Sequence, residues 1–366
     1  MVLLALLAAA IWWLYRPGPR LRAVRQLPGV ASEGGKVALQ LRVELRCSLP
    51  TRVVVTDQPP RTLIASKPLQ FGGLILGRQV VELVAELSCN RRGELLWPPL
   101  ELRWSDPLGL FWRAKAAGPQ STLLVFPGNH PLALPELLRP LLQEGPADRR
   151  VGLQDPASLR GVREYRAGDP PNLIHWKQSA HHAHSQQLFV RELEAMTASG
   201  LQVHVDTRGD AQYLEAAVRL AASLLTEAES TQLPCAASAG GRQSPAGRDL
   251  SSRQAALALL ARLRLGEGGE IPLPPAGFNL IVISQLGSEQ LLSSCIRARN
   301  RAGRVVLILL PEGFYLEPGE RPRPLWSSPP DAVRALERQA RVLIAESIEV
   351  VVLRGDQSVM RLTPLA

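Results

Sequence analysis

Residues 153–194 read LQDPASLRGVREYRAGDPPNLIHWKQSAHHAHSQQLFVRELE, the densest run of polar and aromatic side chains in the sequence. Within it, Gly168-Asp169-Pro170-Pro171 marks a helix start. Asp169 suits a cap, and Pro170 suits the first helical position, where no amide donor is needed. Leu173, Trp176, Lys177 and Ala180 then recur at helical spacing, which predicts a short helix with Trp176 on its buried side. Upstream, Arg160, Arg163, Tyr165 and Arg166 gather near Glu164 and Asp169. Two readings fit: an ion network that pins a loop to a domain, or an anion site. Networks are the commoner of the two. His175, His181, His182 and His184 raise zinc, which uses histidine at i,i+4 or mixed with Cys, Asp or Glu. No two of these four are at i,i+4, HExxH is absent, and no cysteine is near. They read as polar residues after a helix end.

Upstream of this stretch the pattern is that of strands. Val37, Leu39, Leu41, Val43 and Leu45 alternate with Lys36, Gln40, Arg42, Glu44 and Arg46, a period of two with one wet face. Further short strands are predicted at 53–56, 74–76, 81–89, 100–104 and 122–126, separated by Pro59-Pro60, Gly72-Gly73 and Arg92-Gly93. Such a series implies an antiparallel β-sandwich over residues 26–128, with Trp97 and Trp104 in its core and rim.

Downstream, strands alternate with helices. Leu201 to Asp206, Asn279 to Ser284, Arg304 to Leu310 and Ile348 to Leu353 are apolar runs. Between them Ala211 to Glu229, Ser252 to Leu265, Glu289 to Ala302 and Asp331 to Ala345 have helical periodicity. The alternation predicts a mostly parallel, doubly wound α/β sheet over residues 201–366. In such sheets ligands sit beyond the carboxyl ends of the strands. There is no P-loop, glycine-rich dinucleotide fingerprint or GxSxG elbow.

The 366 residues are 46% hydrophobic and 20% charged, which excludes a disordered chain and allows two cores. The net charge of +9 is mostly arginine spread along the chain, and this argues against nucleic-acid binding. Cys47, Cys89, Cys235 and Cys295 lack metal-type spacing. A Cys47–Cys89 bridge is conceivable, but buried free thiols are the simpler expectation. At the amino end, Val2 to Tyr15 is apolar and closes on Trp12, Trp13 and Tyr15 before Arg16, Arg20, Arg22 and Arg25. Aromatics beside a basic flank predict a membrane anchor over residues 1–16, a basic linker over 17–25, and large domains on the cytoplasmic side. The run is short of the ~20 residues of a full span, so Arg16 would have to snorkel or the helix would mark only a partial span.

Several ordered motifs resemble one bacterial family. Arg92-Gly93, Asp106-Pro107-Leu108-Gly109-Leu110-Phe111, Val125-Phe126-Pro127, Arg163-x-Tyr165-x-x-Gly168-Asp169, Ile174-x-Trp176 and Ser179-Ala180 are similar to the signature of the family catalogued as domain of unknown function fifty-eight. The match spans nearly the whole chain. That family has arginine where Asn172 and His181 stand. The resemblance implies a von Willebrand A-like domain from Val203 to Asp206 onward, with Asp-x-Ser-x-Ser holding a divalent metal after its first strand. Here Asp206 is kept, while Arg208 and Asp210 replace the serines. A guanidinium repels a cation that wants hard oxygen ligands, so this metal site is read as degenerate and no cofactor is expected.

The combined expectation is an α+β multidomain chain. It comprises a membrane anchor, an antiparallel sandwich, a signature junction over residues 129–200, and a doubly wound, von Willebrand A-like α/β domain. Arg163, Tyr165, Gly168, Asp169, Ile174 and Trp176 form the signature network. The apolar run and its basic flank predict a single-pass cell-membrane protein, whereas the resemblance implies two spans close together, of which this chain would hold the second. The resemblance further implies that the chain assembles or activates client proteins with a MoxR-type AAA+ ATPase; no catalytic residues are identified in the sequence. The rival reading is a metal-dependent hydrolase using His181, His182 and His184 or Asp206.

Overall fold

The apolar run at the amino end forms helix α1, Val2–Tyr15. Its 14 residues span roughly 21 Å at 1.5 Å per residue, against the ~30 Å of a bilayer's hydrocarbon core. No helix among the described residues is long and apolar enough to cross a membrane. The expected membrane anchor, and the single-pass cell-membrane placement that rested on it, are therefore corrected. The computed structural model describes residues 1–15, 18–129, 154–165, 174–181, 188–195, 200–230, 232–266, 268–311, 331–353 and 359–361. The chain divides into two units, Met1–Gly128 with Leu260–Leu263, and Asn129–Leu259 with Arg264–Ala366. Among the described residues the fold is mixed α/β without a membrane-spanning helix, in place of the anchored α+β architecture expected.

In the first unit the strands are β1 (Arg20–Gln26), β2 (Val30–Ser32), β3 (Lys36–Thr56), β4 (Leu63–Ala65), β5 (Gln70–Cys89), β6 (Gly93–Trp97), β7 (Leu100–Ser105), β8 (Trp112–Ala117) and β9 (Ser121–Phe126). Six of them make one sheet in the order β4-β5-β3-β7-β8, with β1 also on β3; β2, β9 and β6 make a second. The pairing is not wholly antiparallel as expected, because β2 runs parallel to β9. Val37, Leu39, Leu41, Val43 and Leu45 are the buried face of β3. Leu39, Leu87 and Cys89 of the larger sheet pack with Trp97, Leu123 and Val125 of the smaller.

The linker expected at 17–25 is strand from Arg20 onward. Residues 20–26 pair antiparallel with 40–46 of β3. The physical reason is an ion pair that lies far away in sequence. Arg25 Nη2 is 2.7 Å from Asp57 Oδ1, with both side chains fully buried. Trp97 Nε1 donates to the same carboxylate at 2.7 Å, and the Arg25 guanidinium lies 4.7 Å from the centre of that indole ring.

In the second unit a two-stranded ribbon, β10 (Gln154–Glu164) and β11 (Phe189–Ala195), flanks the short helix α2 (Trp176–His181). The α/β part follows: β12 (Gly200–Val205), α3 (Ala211–Ser230), β13 (Cys235–Ala239), β14 (Arg242–Gln243), α4 (Leu250–Ala261), β15 (Phe278–Ser284), α5 (Glu289–Arg299), β16 (Arg304–Leu309), α6 (Asp331–Ala345), β17 (Ile348–Leu353) and β18 (Val359–Arg361). The sheet order is β14-β13-β12-β15-β16-β17-β18. β13, β12, β15, β16 and β17 are parallel, and the edges β14 and β18 are antiparallel. Every residue of β12 and β15 is buried, which is why they read as continuous runs. Counted along the chain, the parallel strands lie in the order 2-1-3-4-5. The winding direction reverses between β12 and β15, so the ligand crevice of such a sheet falls at their carboxyl ends.

Candidate functional site

Two chain segments meet at that reversal, Asp206 to Asp210 after β12 and Ser284-Gln285 at the end of β15. Asp206 is 2% exposed. Its Oδ1 accepts from Arg208 Nε at 3.0 Å and from the Arg208 amide at 3.2 Å. Its Oδ2 accepts from Arg208 Nη2 at 3.2 Å and from Ser284 Oγ at 3.0 Å. Four donors thus saturate this carboxylate, and the guanidinium neutralises it. The Arg208 side chain is itself only 20% exposed. Gly268 lies so close that a Cβ there would be 2.6 Å from Arg208 Nε. The Gly266 amide bonds Thr207 O at 3.1 Å.

Asp210 is engaged as fully. Its Oδ1 accepts from the Tyr213 amide at 2.6 Å, capping α3. Its Oδ2 accepts from Gln285 Nε2 at 2.8 Å, while its amide donates to Gln285 Oε1 at 3.0 Å. Gly209 makes this clamp possible. Its φ is +138°, and a Cβ would stand 2.5 Å from Gln285 Oε1. Beneath the clamp, the buried Tyr213 hydroxyl donates toward the carbonyls of Asp206 at 2.8 Å and Ile283 at 2.9 Å. Burial first, and then Asp206, hold its pKa well above the usual 10.0.

The residues present do not fit a divalent cation. Both Asp206 oxygens face a tethered guanidinium, and Asp210 is spent on the helix cap and Gln285. Among the described residues no three His, Cys, Asp or Glu side chains gather into a metal-ligand group.

A second polar cluster went unnoticed in the sequence. Gln202 and His204 are buried on β12. His204 Nδ1 lies 3.0 Å from Ser238 Oγ. Gln202 Nε2 donates to Ser238 Oγ at 3.3 Å and to Pro272 O at 3.0 Å, and its Oε1 accepts from Gln243 at 2.9 Å. Burial pushes the His204 pKa down to about 4, against the partial support of Asp206. The available signal was the alternation Gln202-Val203-His204-Val205 inside an otherwise apolar strand.

The signature residues are placed as follows. Arg163 lies in β10 opposite Val190. The amide of Tyr165 bonds Leu188 O at 2.8 Å. Ile174 is buried and bridges to Val190. Trp176, expected on the buried side, is 65% exposed. It is the first residue of a six-residue helix, and the inward position belongs to Ser179. That hydroxyl lies 3.2 Å from His175 O and accepts from the Phe189 amide at 2.9 Å. His181 ends α2. Gly168, Asp169, His182 and His184 lie outside the described residues.

The four cysteines are buried and free, Cys47 and Cys89 included. Burial pushes the Cys295 thiol up to about 12. Asp106, first residue of the Asp-Pro-x-Gly-Leu-Phe step, has a structural job. Its carboxylate accepts from the amides of Leu108, Gly109 and Phe111 at 2.9, 3.1 and 2.9 Å, and so fixes the turn.

No family model matches the chain, and no curated protein does. Among solved structures, a FixG-related protein from Vibrio parahaemolyticus aligns over 30% of this chain and 97% of that one, at 8% identity and a TM-score of 0.20. A likeness of that size carries no argument about fold or function.

Proposed function

We propose that this chain is a non-catalytic interaction or assembly factor that works on client proteins with a MoxR-type AAA+ ATPase. The observation that supports a non-catalytic reading is the saturated crevice. At the reversal point of the sheet, where a substrate or cofactor would bind, Asp206 is closed by Arg208 and Ser284, and Asp210 by Gln285. A buried carboxylate with four donors has no free lone pair to act as a base or a ligand. The ATPase partnership rests on the family resemblance of the signature motifs alone. Nucleic acid is not part of the proposal, because the arginines are dispersed and form no basic run.

The test pairs the full chain with a purified MoxR-type ATPase in titration calorimetry, with ATP turnover followed in parallel. Saturable binding that changes turnover is expected. Absence of heat and of any effect on turnover would remove the ATPase from the proposal. Elemental analysis of the gently purified chain adds a separate check: one tightly held divalent ion per chain would revive the metal-dependent hydrolase.

A further inference from the structure

The long strand β5 has one paired edge and one open edge. Its inner edge is bonded to β3 from Gln70 to Ser88. On its other edge β4 covers only Leu87 to Cys89, with Ser66 reaching Glu86. Among the described residues, no strand pairs with that edge from Gln70 to Ala85. The 20-residue strand contains no proline; its one irregularity is at Gly77, where φ is +78° and the register with β3 shifts, so the regular part of the open edge runs from Arg78 to Ala85. An unpaired edge of this length is a template for another strand unless charges or breaks block it.

The side chains on the solvent face follow a specific order. Leu76, Val80 and Val84 are exposed apolar residues, and Arg78 and Glu82 alternate with them. If a second β5 runs antiparallel along this edge with Val80 opposite Val80, Arg78 of each strand faces Glu82 of the other. Leu76 then faces Val84. Both charged contacts carry opposite signs, and Leu76, Val80 and Val84 each meet an apolar residue, while the exposed Leu74 falls opposite Glu86 at the covered end of the edge.

The charge balance within one chain favours the same register. Arg78 stands directly opposite Arg46 on β3, an unfavourable like-charge pair. A single carboxylate bridges them, with Glu44 Oε1 2.9 Å from Arg46 Nε and 3.0 Å from Arg78 Nε. One acid for two arginines leaves a positive charge, and a second copy's Glu82 falls beside it. Among the described residues, the ion contact of Glu82 is the longer one of 3.7 Å to Arg42.

We infer that the open edge of β5 is a self-association surface, on which a second copy of this chain docks antiparallel about Val80 to join the two six-stranded sheets. A strand pair of this length buries less than the ~1,200 Å² of standard interfaces, so the dimer is weak and concentration-dependent.

Sedimentation equilibrium on the full chain over about 1–500 μM brackets the expected dissociation constant. Reversal of one charge puts like charges opposite each other, so Arg78→Glu and Glu82→Arg are each expected to be monomeric. An equimolar mixture of the two variants regains complementary pairs and should form a mixed dimer. The double variant Arg78→Glu/Glu82→Arg should dimerise like the parent. Far-ultraviolet circular dichroism confirms that each variant is folded. Amide exchange in the unmodified chain provides a second readout, with residues 78–82 expected to slow as concentration rises. A parent that stays monomeric throughout overturns the inference, as it would if the edge binds an extended segment of another protein. So does a dimer that the single reversals leave intact, or one that the mixture fails to restore.

Discussion

Arg208 follows Asp206 by two residues, and the sequence suggests a salt bridge between Asp206 and Arg208 or another base. The completeness of the closure is not legible there, because Ser284 and Gln285 lie more than seventy residues further on. Arg208→Ala should leave Asp206 in a buried place with no counter-charge, held only by the Ser284 hydroxyl and the backbone amide of residue 208. Removal of one partner of a buried ion pair costs about 3–5 kcal/mol, and the partial exposure of Arg208 puts this case near ~3 kcal/mol. Urea unfolding monitored on the second unit measures it, and an unchanged midpoint would show that Asp206 does not depend on the guanidinium. His204 adds a pH term. Its pKa falls from an ordinary 6.5 unfolded to about 4 folded, so between these values the unfolded chain binds more protons. Stability therefore rises with pH across that window. It is whole above 6.5 and falls by about 3 kcal/mol as the pH drops through 4. His204→Gln, which keeps a polar partner for Ser238, should flatten the slope between pH 4 and 6.5; an equally steep slope in that variant would assign the effect elsewhere.

At the level of elements, the strand positions followed from alternation wherever the dry face was apolar, as in β3, and from continuous runs where both faces are buried, as in β12 and β15. β1 escaped because its inward row includes Arg25, a residue type that reads as solvated until its partner is known. Asp57 supplies that partner across 32 positions, and Trp97 closes the group. Asp57→Ala should thus unpair a fully buried guanidinium and strand the indole donor, at a cost of about 3–5 kcal/mol. Amide exchange should rise along β1 first; protection of residues 20–26 equal to that of the parent would show that the ion pair does not hold this strand. The opposite lesson comes from α2. Helical spacing around Trp176 predicts an inward stripe, but a six-residue helix that begins at the tryptophan turns Ser179 inward instead. Trp176→Ala is accordingly expected to change stability by no more than about 0.5 kcal/mol, as for an ordinary surface position. A loss of several kcal/mol on thermal unfolding would mean that the indole is covered in solution.

At the scale of the molecule, each unit owns its apolar core. Leu41, Val43 and Leu45 pack with Leu100, Leu102 and Trp104 in the first. In the second, Leu280 and Val282 pack with Leu291, Leu292, Val305, Leu307, Val333 and Leu336. Neither cluster draws on the other unit. A cooperative block is defined by the core it must expose on unfolding, so two such cores give two blocks unless the surface joining them is large and apolar. Scanning calorimetry on the full chain should then resolve two transitions. Asp57 belongs to the first unit and Arg208 to the second, so the two substitutions serve as labels. Asp57→Ala should lower one transition and leave the other in place, and Arg208→Ala should do the reverse. With ~1 kcal/mol worth roughly 4–8 °C in a domain of 60–100 residues and 2–4 °C in one of 150–250, shifts of the sizes argued above are well resolved. A single peak displaced as a whole by either substitution would show that the units unfold together, and would make the division into two cores a matter of packing without a thermodynamic counterpart.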